Sequence, residues 1–256
     1  MRRSLELFVE KVVWSEASDY RELMQADYLL LNDRLAKFYG VTMPDGGDFQ
    51  KVMLDPEQRS GVVTHPYLLA RLAHHNQTSP IHRGVFVTRN LLGGILKPPP
   101  EAIEFKDDHF DPKLSMREKV AQMTRNTSCM TCHETINPLG FSLENFDAVG
   151  RFRLTENEQP IISESDFETF EGGKIRLRGA RDVAKHAVES VTARRGFIRQ
   201  LFQAVIKQNP GVYGTETLAQ LESNFVKNGY HIRHLLADIH TLAALHGIRQ
   251  PDPNKP

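Results

Sequence analysis

The chain has 256 residues, with 32 basic and 32 acidic side chains and a formal net charge of zero. That length buries a real core and suits one large domain or two small ones. The charge balance argues against nucleic-acid or membrane-surface binding through bulk charge. No apolar run reaches the roughly 18 residues of a membrane span, and two cysteines cannot build a disulfide framework.

At the N-terminus, Arg2 and Arg3 mimic the n-region of a signal peptide. Glu6, Glu10 and Lys11 break the apolar stretch after them, and no small-residue cleavage site follows. The segment reads as an amphipathic helix rather than an export signal. Apolar spacing at Leu5, Phe8, Val9, Val12 and Val13, then at Leu23, Leu30, Leu31, Leu35 and Phe38, predicts helix over 3–40, with Gly40 as its stop. MPDGGD (43–48) is a loop, FQKVML (49–54) a short strand, and DPEQRSG a turn. VVTHPYLLARLAHH predicts helix from Tyr67 on. Ser79 is an N-cap with Pro80 at the first helical position, and Gly93–Gly94 is the stop. KPPP (97–100) is a stiff spacer, and EAIEFKDDHFDPK is irregular surface.

Ser115 and Glu118 form a capping box, so a helix starts at Met116 and is expected to run straight into Cys129. GRFRLTENEQPIISES predicts a hairpin, and FEGGKIRLRG a further strand. From Asp182 the pattern is helical: four helices, the third capped by Thr215 and the last stopped by Gly247, make a small bundle. The fold class expected is mainly α with small β-hairpins.

Both cysteines lie in NTSCMTCHETINPLGFSLENFDAVG, as Cys129 and Cys132 with His133 directly after. Three chemistries compete for this pattern. Covalent haem c attachment needs two thiols to reach two vinyl groups and the next residue to reach the iron, and Cys-x-x-Cys-His does so in about one helical turn. Zinc needs four ligands, and no second cysteine pair exists. A thiol–disulfide site places its first cysteine at a helix N-terminus, where the dipole favours thiolate; a helix running on from Met116 would put the pair at the wrong end. Haem is the leading reading, with iron on His133.

Pro138, Leu139, Phe141, Leu143, Phe146 and Val149 follow closely enough to supply apolar walls for a porphyrin. Pro138 is expected to bring a backbone carbonyl to the free nitrogen of His133. Every Met lies at or before Met130, which rules out a distal Met downstream of the motif. Met123 is the first candidate for the distal position, ahead of Met116, His65, His82 and His109, and an open sixth position is the alternative. Arg83 is read as a helix-surface ion pair ahead of a propionate partner. Glu144, Asn145 and Asp147 read as helix-surface or turn residues. His231, His234 and His240 share no clean face with carboxylates.

NPLGFSLENFDAVGRFR after the motif resembles the haem-bearing domain of the planctomycete-type cytochromes, large exported multidomain proteins. RSGVVTHPYLLA, QTSPIHRGVFVTRNLL and PPPEAIEF resemble the same domain in the same order. YLLLNDRLAKFYGV is similar to the end of the domain before it, and residues 196–239 to the helical domain that closes such proteins. The resemblance implies a helical remnant at 1–42, a cytochrome c-like haem domain at 43–160, a hairpin and helical bundle at 161–250, and a tail at 251–256. It also implies an exported c-haem redox protein, periplasmic or at the cell surface, whose partners are another redox protein or other domains of a longer chain. Such relatives commonly carry His where this chain has Met123. They also carry an export signal and long N-terminal regions, so this chain is expected to be a fragment. The function expected is one-electron transfer. The alternatives are a haem oxidoreductase or peroxidase-like module with an open distal site, and a scaffold with a local Cys129–Cys132 disulfide.

Overall fold

A computed structural model describes residues 1–43, 47–98 and 105–246. Parts of the 43–48 loop, of the 97–100 spacer and of the 101–113 segment therefore lie outside the described residues, as do Gly247 and the tail. The described chain is mainly helical, with three two-stranded antiparallel hairpins.

Helix α1 (Arg2–Trp14) buries Ser4, Phe8 and Val12, a stripe at every fourth residue. Asp19 caps α2 (Tyr20–Gln25) by accepting from the Arg21 amide. The helical stretch expected over 3–40 is broken at this point. Tyr28–Leu31 is strand β1, paired antiparallel with β2 (Gln50–Met53) in the register Tyr28↔Met53 and Leu31↔Gln50. Tyr28 and Leu30 enter the main core, whereas Leu29 and Leu31 enter a small core with Ala36. An extended backbone sends alternate side chains to opposite faces, so a strand can feed two cores at once. Asn32 then caps α3 (Asp33–Tyr39), and Gly40 ends it at φ 67°, in the left-handed region.

A 3₁₀ turn (Gly61–Thr64) leads to α4 (Pro66–Arg71), where His65 is the N-cap. The His65 ring is 1% exposed. Its Nδ1 accepts from the Tyr67 amide, and its Nε2 lies 3.4 Å from Ser4 Oγ, whose own proton goes to the Leu30 carbonyl. Burial, then the charges of Arg59 and the N-terminal amine, push the His65 pKa down to about 3. The unfolded value is near 6.5, so between those limits the unfolded chain holds the extra proton. Stability is therefore expected to fall as pH drops through this window, by up to about 1.4 kcal/mol per pH unit from this group. Urea midpoints against pH should be measurably flatter for His65→Gln between pH 6 and 4; equal slopes would refute the assignment.

Ser79 caps α5 (Pro80–Phe86) as expected. Val87–Leu91 then continues as a π-turn, with the Leu92 amide donating to the Val87 carbonyl, and Gly93 closes it at φ 69°. The capping box forms in full at α6 (Met116–Met123). The helix does not run into the cysteines. It closes at Thr124, and a separate helix, α7 (Thr127–Phe141), starts after Asn126. Thr124 is the C-cap of α6 and Asn126 the N-cap of α7, which separates the two helices.

After α7 come the hairpins β3 (Thr155–Glu156) with β4 (Gln159–Pro160), and β5 (Ser165–Glu168) with β6 (Lys174–Leu177). Asn157 and Glu158 both have positive φ, as a two-residue I′ turn requires. Helices α8 (Ala180–Glu189), α9 (Val191–Ile206), α10 (Thr217–Lys227) and α11 (Ile232–His246) form the expected bundle. Thr215 does not cap α10; a 3₁₀ turn at Pro210–Tyr213 shifts the N-cap to Glu216.

The main hydrophobic core draws on both ends and the middle of the chain, while α3 and α6 pack in two smaller cores. The main core joins Phe8, Tyr20 and Met24 to Leu139 and Leu143, and to Phe202, Phe225 and Ile239. The N-terminal helices are also stitched to the C-terminal bundle: the Tyr20 amide donates to the Tyr230 carbonyl at 3.0 Å, and the Ile232 amide to the Ser18 carbonyl at 2.7 Å.

Candidate functional site

At 100° per residue, Cys129, Cys132 and His133 share one side of α7's first two turns. That side continues through Ile136 and Gly140, which pack on α5. Where α5 and α7 cross, the backbones touch: a methyl on Gly84 would overlap the Ile136 carbonyl, and one on Gly140 the Pro80 carbonyl. The crossing clamps the second half of α7. The motif residues extend beyond it and are partly exposed, and both cysteines are free thiols.

His133 Nδ1 lies 2.9 Å from Asn137 Oδ1, one turn along the helix. Asn137 Nδ2 donates to Thr124 Oγ1 at 2.9 Å, and Thr124 Oγ1 donates to the Val120 carbonyl at 2.8 Å. Thr124 and Asn137 are buried. No hydrogen bond to His133 Nε2 is found among the described residues. The group meeting the histidine's second nitrogen is thus a side-chain amide, not the backbone carbonyl expected from Pro138. Pro138 itself sits inside α7, where it removes one helical hydrogen bond. Spacing held the missed signal, since residues four apart on a helix face each other.

Leu139 is fully buried in the main core, with Leu143 and Phe146. Phe141 joins Met116 and Val120 in a small core closed by Ile81 and Phe105, with the Arg117 guanidinium 4.4 Å from its ring. These residues hold α7 from behind and below the motif. Met123, at the last position of α6, is only partly buried and belongs to neither core. Met116 is enclosed. His65 has both ring nitrogens occupied as described, and His82 and His109 are exposed.

Arg83 is neither a propionate partner nor a surface ion pair. It is fully buried, and its guanidinium donates to the carbonyls of Leu143 at 3.0 Å, Phe146 at 2.7 Å and Asp147 at 2.7 Å. Glu144, expected on a helix surface, is buried beside it: Oε1 lies 3.4 Å from Arg83, and Oε2 accepts from Thr78 at 2.7 Å. Burial pushes the Glu144 carboxyl above its usual range, opposed by Arg83, Thr78 and Arg153. Asp147 is a turn residue, its Oδ1 accepting from the amides of Val149 and Arg151. Arg83 therefore shapes the turn that leaves α7.

Among the described residues no three His, Cys, Asp or Glu side chains converge as a metal cage, whereas tetrahedral zinc needs four ligands. His231 and His234 stack on each other with ring centres 3.9 Å apart. A polar cavity of about 480 Å³ opens near the start of α6, lined by Gln77, Lys119, Arg153 and Glu156. Its cations are already paired, Lys119 with Asp107 at 2.7 Å and Arg153 with Glu156 at 3.2 Å. Among the described residues no helix is long and apolar enough to cross a membrane.

Residues 59–156, which contain the motif, match the family model PSCyt3, described as a protein of unknown function (DUF1588). Residues 1–41 match the model PSD4, also described as a protein of unknown function (DUF1592). Both descriptions agree with the planctomycete cytochrome likeness at the level of domains of unknown function. No curated protein and no solved structure matches the chain.

Proposed function

We propose that this chain is a c-type haem-binding redox module, carrying single electrons within a larger exported protein or assembly. The observation that carries the reading is the set Cys129, Cys132 and His133. Two free thiols and an imidazole whose Nε2 has no hydrogen bond among the described residues lie on one partly exposed side of a helix, beyond the point where α5 covers it. Each thiol would add across one vinyl group, its sulfur bonding to one carbon and its hydrogen going to the other, so no oxidant or reductant is consumed. His133 would be the proximal ligand, and Met123 is the candidate for the opposite face. A bound haem supplies an iron that cycles between ferric and ferrous by one electron. The name PSCyt3 on the matched segment supports the same reading. Haem c is attached outside the cytoplasm, so a loaded chain belongs in the periplasm or at the cell surface.

The break between α6 and α7 favours a second reading. It places Cys129 in the first turn of a helix, the position a thiol–disulfide site uses for its first cysteine. That suits a dithiol that exchanges with a partner's disulfide, one sulfur attacking it and the other displacing the partner, so that Cys129 and Cys132 end as a local disulfide, the partner ends as two thiols, and no haem is bound.

One experiment separates them. The chain is exported in a host that matures haem c, and a pyridine haemochrome is recorded. A c-type haemochrome that disappears in Cys129→Ala/Cys132→Ala is the expected result. A low-spin spectrum that turns high-spin in Met123→Ala assigns the distal ligand and an electron carrier; a high-spin wild type points instead to a haem enzyme with an open site. A folded, exported chain with a Cys129–Cys132 disulfide and no haem would sink the haem reading.

A further inference from the structure

We infer that Asn137 and Thr124 are positioning residues that set the tautomer of His133 and present its Nε2 as a bare lone pair to iron. This rests on the haem reading above.

The proton count follows from the end of α6. The Val120 carbonyl accepts two hydrogen bonds, from the Thr124 amide at 3.0 Å and from the Thr124 hydroxyl at 2.8 Å. A hydroxyl has one proton, so with that proton on Val120 the Thr124 oxygen can only accept. It accepts from Asn137 Nδ2 at 2.9 Å. This orients the amide and leaves Asn137 Oδ1 towards His133. A carbonyl oxygen only accepts, so the proton in the 2.9 Å contact sits on His133 Nδ1. In the neutral ring Nε2 then carries the lone pair, the form a metal requires. Thr124 is 2% and Asn137 7% exposed, which keeps water from competing for the relay. The relay spans the break between the two helices: α6 supplies the fixed acceptor, and α7 supplies the amide and imidazole. Thr124 can serve because α6 ends there.

Two readouts test it on the full chain. In the haem-free protein at a pH where histidine is neutral, ¹⁵N NMR of His133 should give the Nδ1–H tautomer as the major form. Asn137→Leu should move the population towards Nε2–H by several-fold, and Thr124→Val should move it in the same direction by less. In the haem-loaded protein the reduction potential should rise in Asn137→Leu, which withdraws the acceptor from Nδ1. It should fall in Asn137→Asp, whose carboxylate pulls harder on the same proton. A purely structural Asn137 would change stability without this ordering. Covalent haem with an Nε2–H histidine in the haem-free chain, or with a potential indifferent to residue 137, overturns the relay and leaves haem attachment standing. An Nδ1–H histidine in a chain that never takes up haem overturns the haem reading and keeps the relay.

Discussion

Arg83→Met is expected to destabilise the protein by roughly 3–5 kcal/mol, the range for removing one partner of a buried ion pair. At 2–4 °C per kcal/mol for a chain of this size, the melting temperature should fall by about 10 °C. Methionine restores much of the volume, so the loss is mainly electrostatic. Glu144 is left buried beside Thr78, and the carbonyls of Leu143, Phe146 and Asp147 lose their shared donor. Glu144→Gln in the same background removes a buried carboxylate left with Arg153 at 3.5 Å as an ion-pair partner, and should recover part of the loss. If Arg83→Met melts like the parent, the guanidinium does not organise the turn after α7.

Gly84→Ala and Gly140→Ala should each cost about 3 kcal/mol, the upper end for overpacking a core. In each case the added methyl meets backbone rather than a side chain that can rotate away. The helices can respond only by separating. Once one methyl has opened the crossing, the second finds room, so the double variant should lose clearly less than the sum. Urea unfolding of the three variants measures this, and strict additivity would mean the two contacts relax independently.

Local signals were the legible ones. Ser79 with Pro80, and Ser115 with Glu118, announced helix starts because a cap is built from residues within one turn. The Cys129–His133 motif was readable for the same reason. Strand β1 was not, since a short run of leucines has no period of its own. The choice was made by two cores lying on opposite sides of Tyr28–Leu31. Arg83 and Glu144 were misplaced because charged residues are usually exposed, and their pairing spans 61 positions. The break at Thr124–Asn126 left a trace in Thr124, Asn126, Thr127 and Ser128, residue types that prefer caps to helix interiors. The reading from Met116 passed over it, and with it the end of the helix that carries the cysteines. Asn137 lay in view, one turn after His133, but only the position of Thr124 gives its amide a direction.

The shared core has a consequence for how such a chain is inherited. Residues 1–41 and 59–156 match separate models, as if they were interchangeable parts. Yet Tyr20 from the first stretch packs against Phe197 and Phe225 beyond the second, and its hydroxyl donates to the Ala187 carbonyl. The unit of homology is smaller than the unit of folding. Recombination at residue 42 would strand an apolar face on each fragment, parting Tyr20 from Phe197 and Phe225.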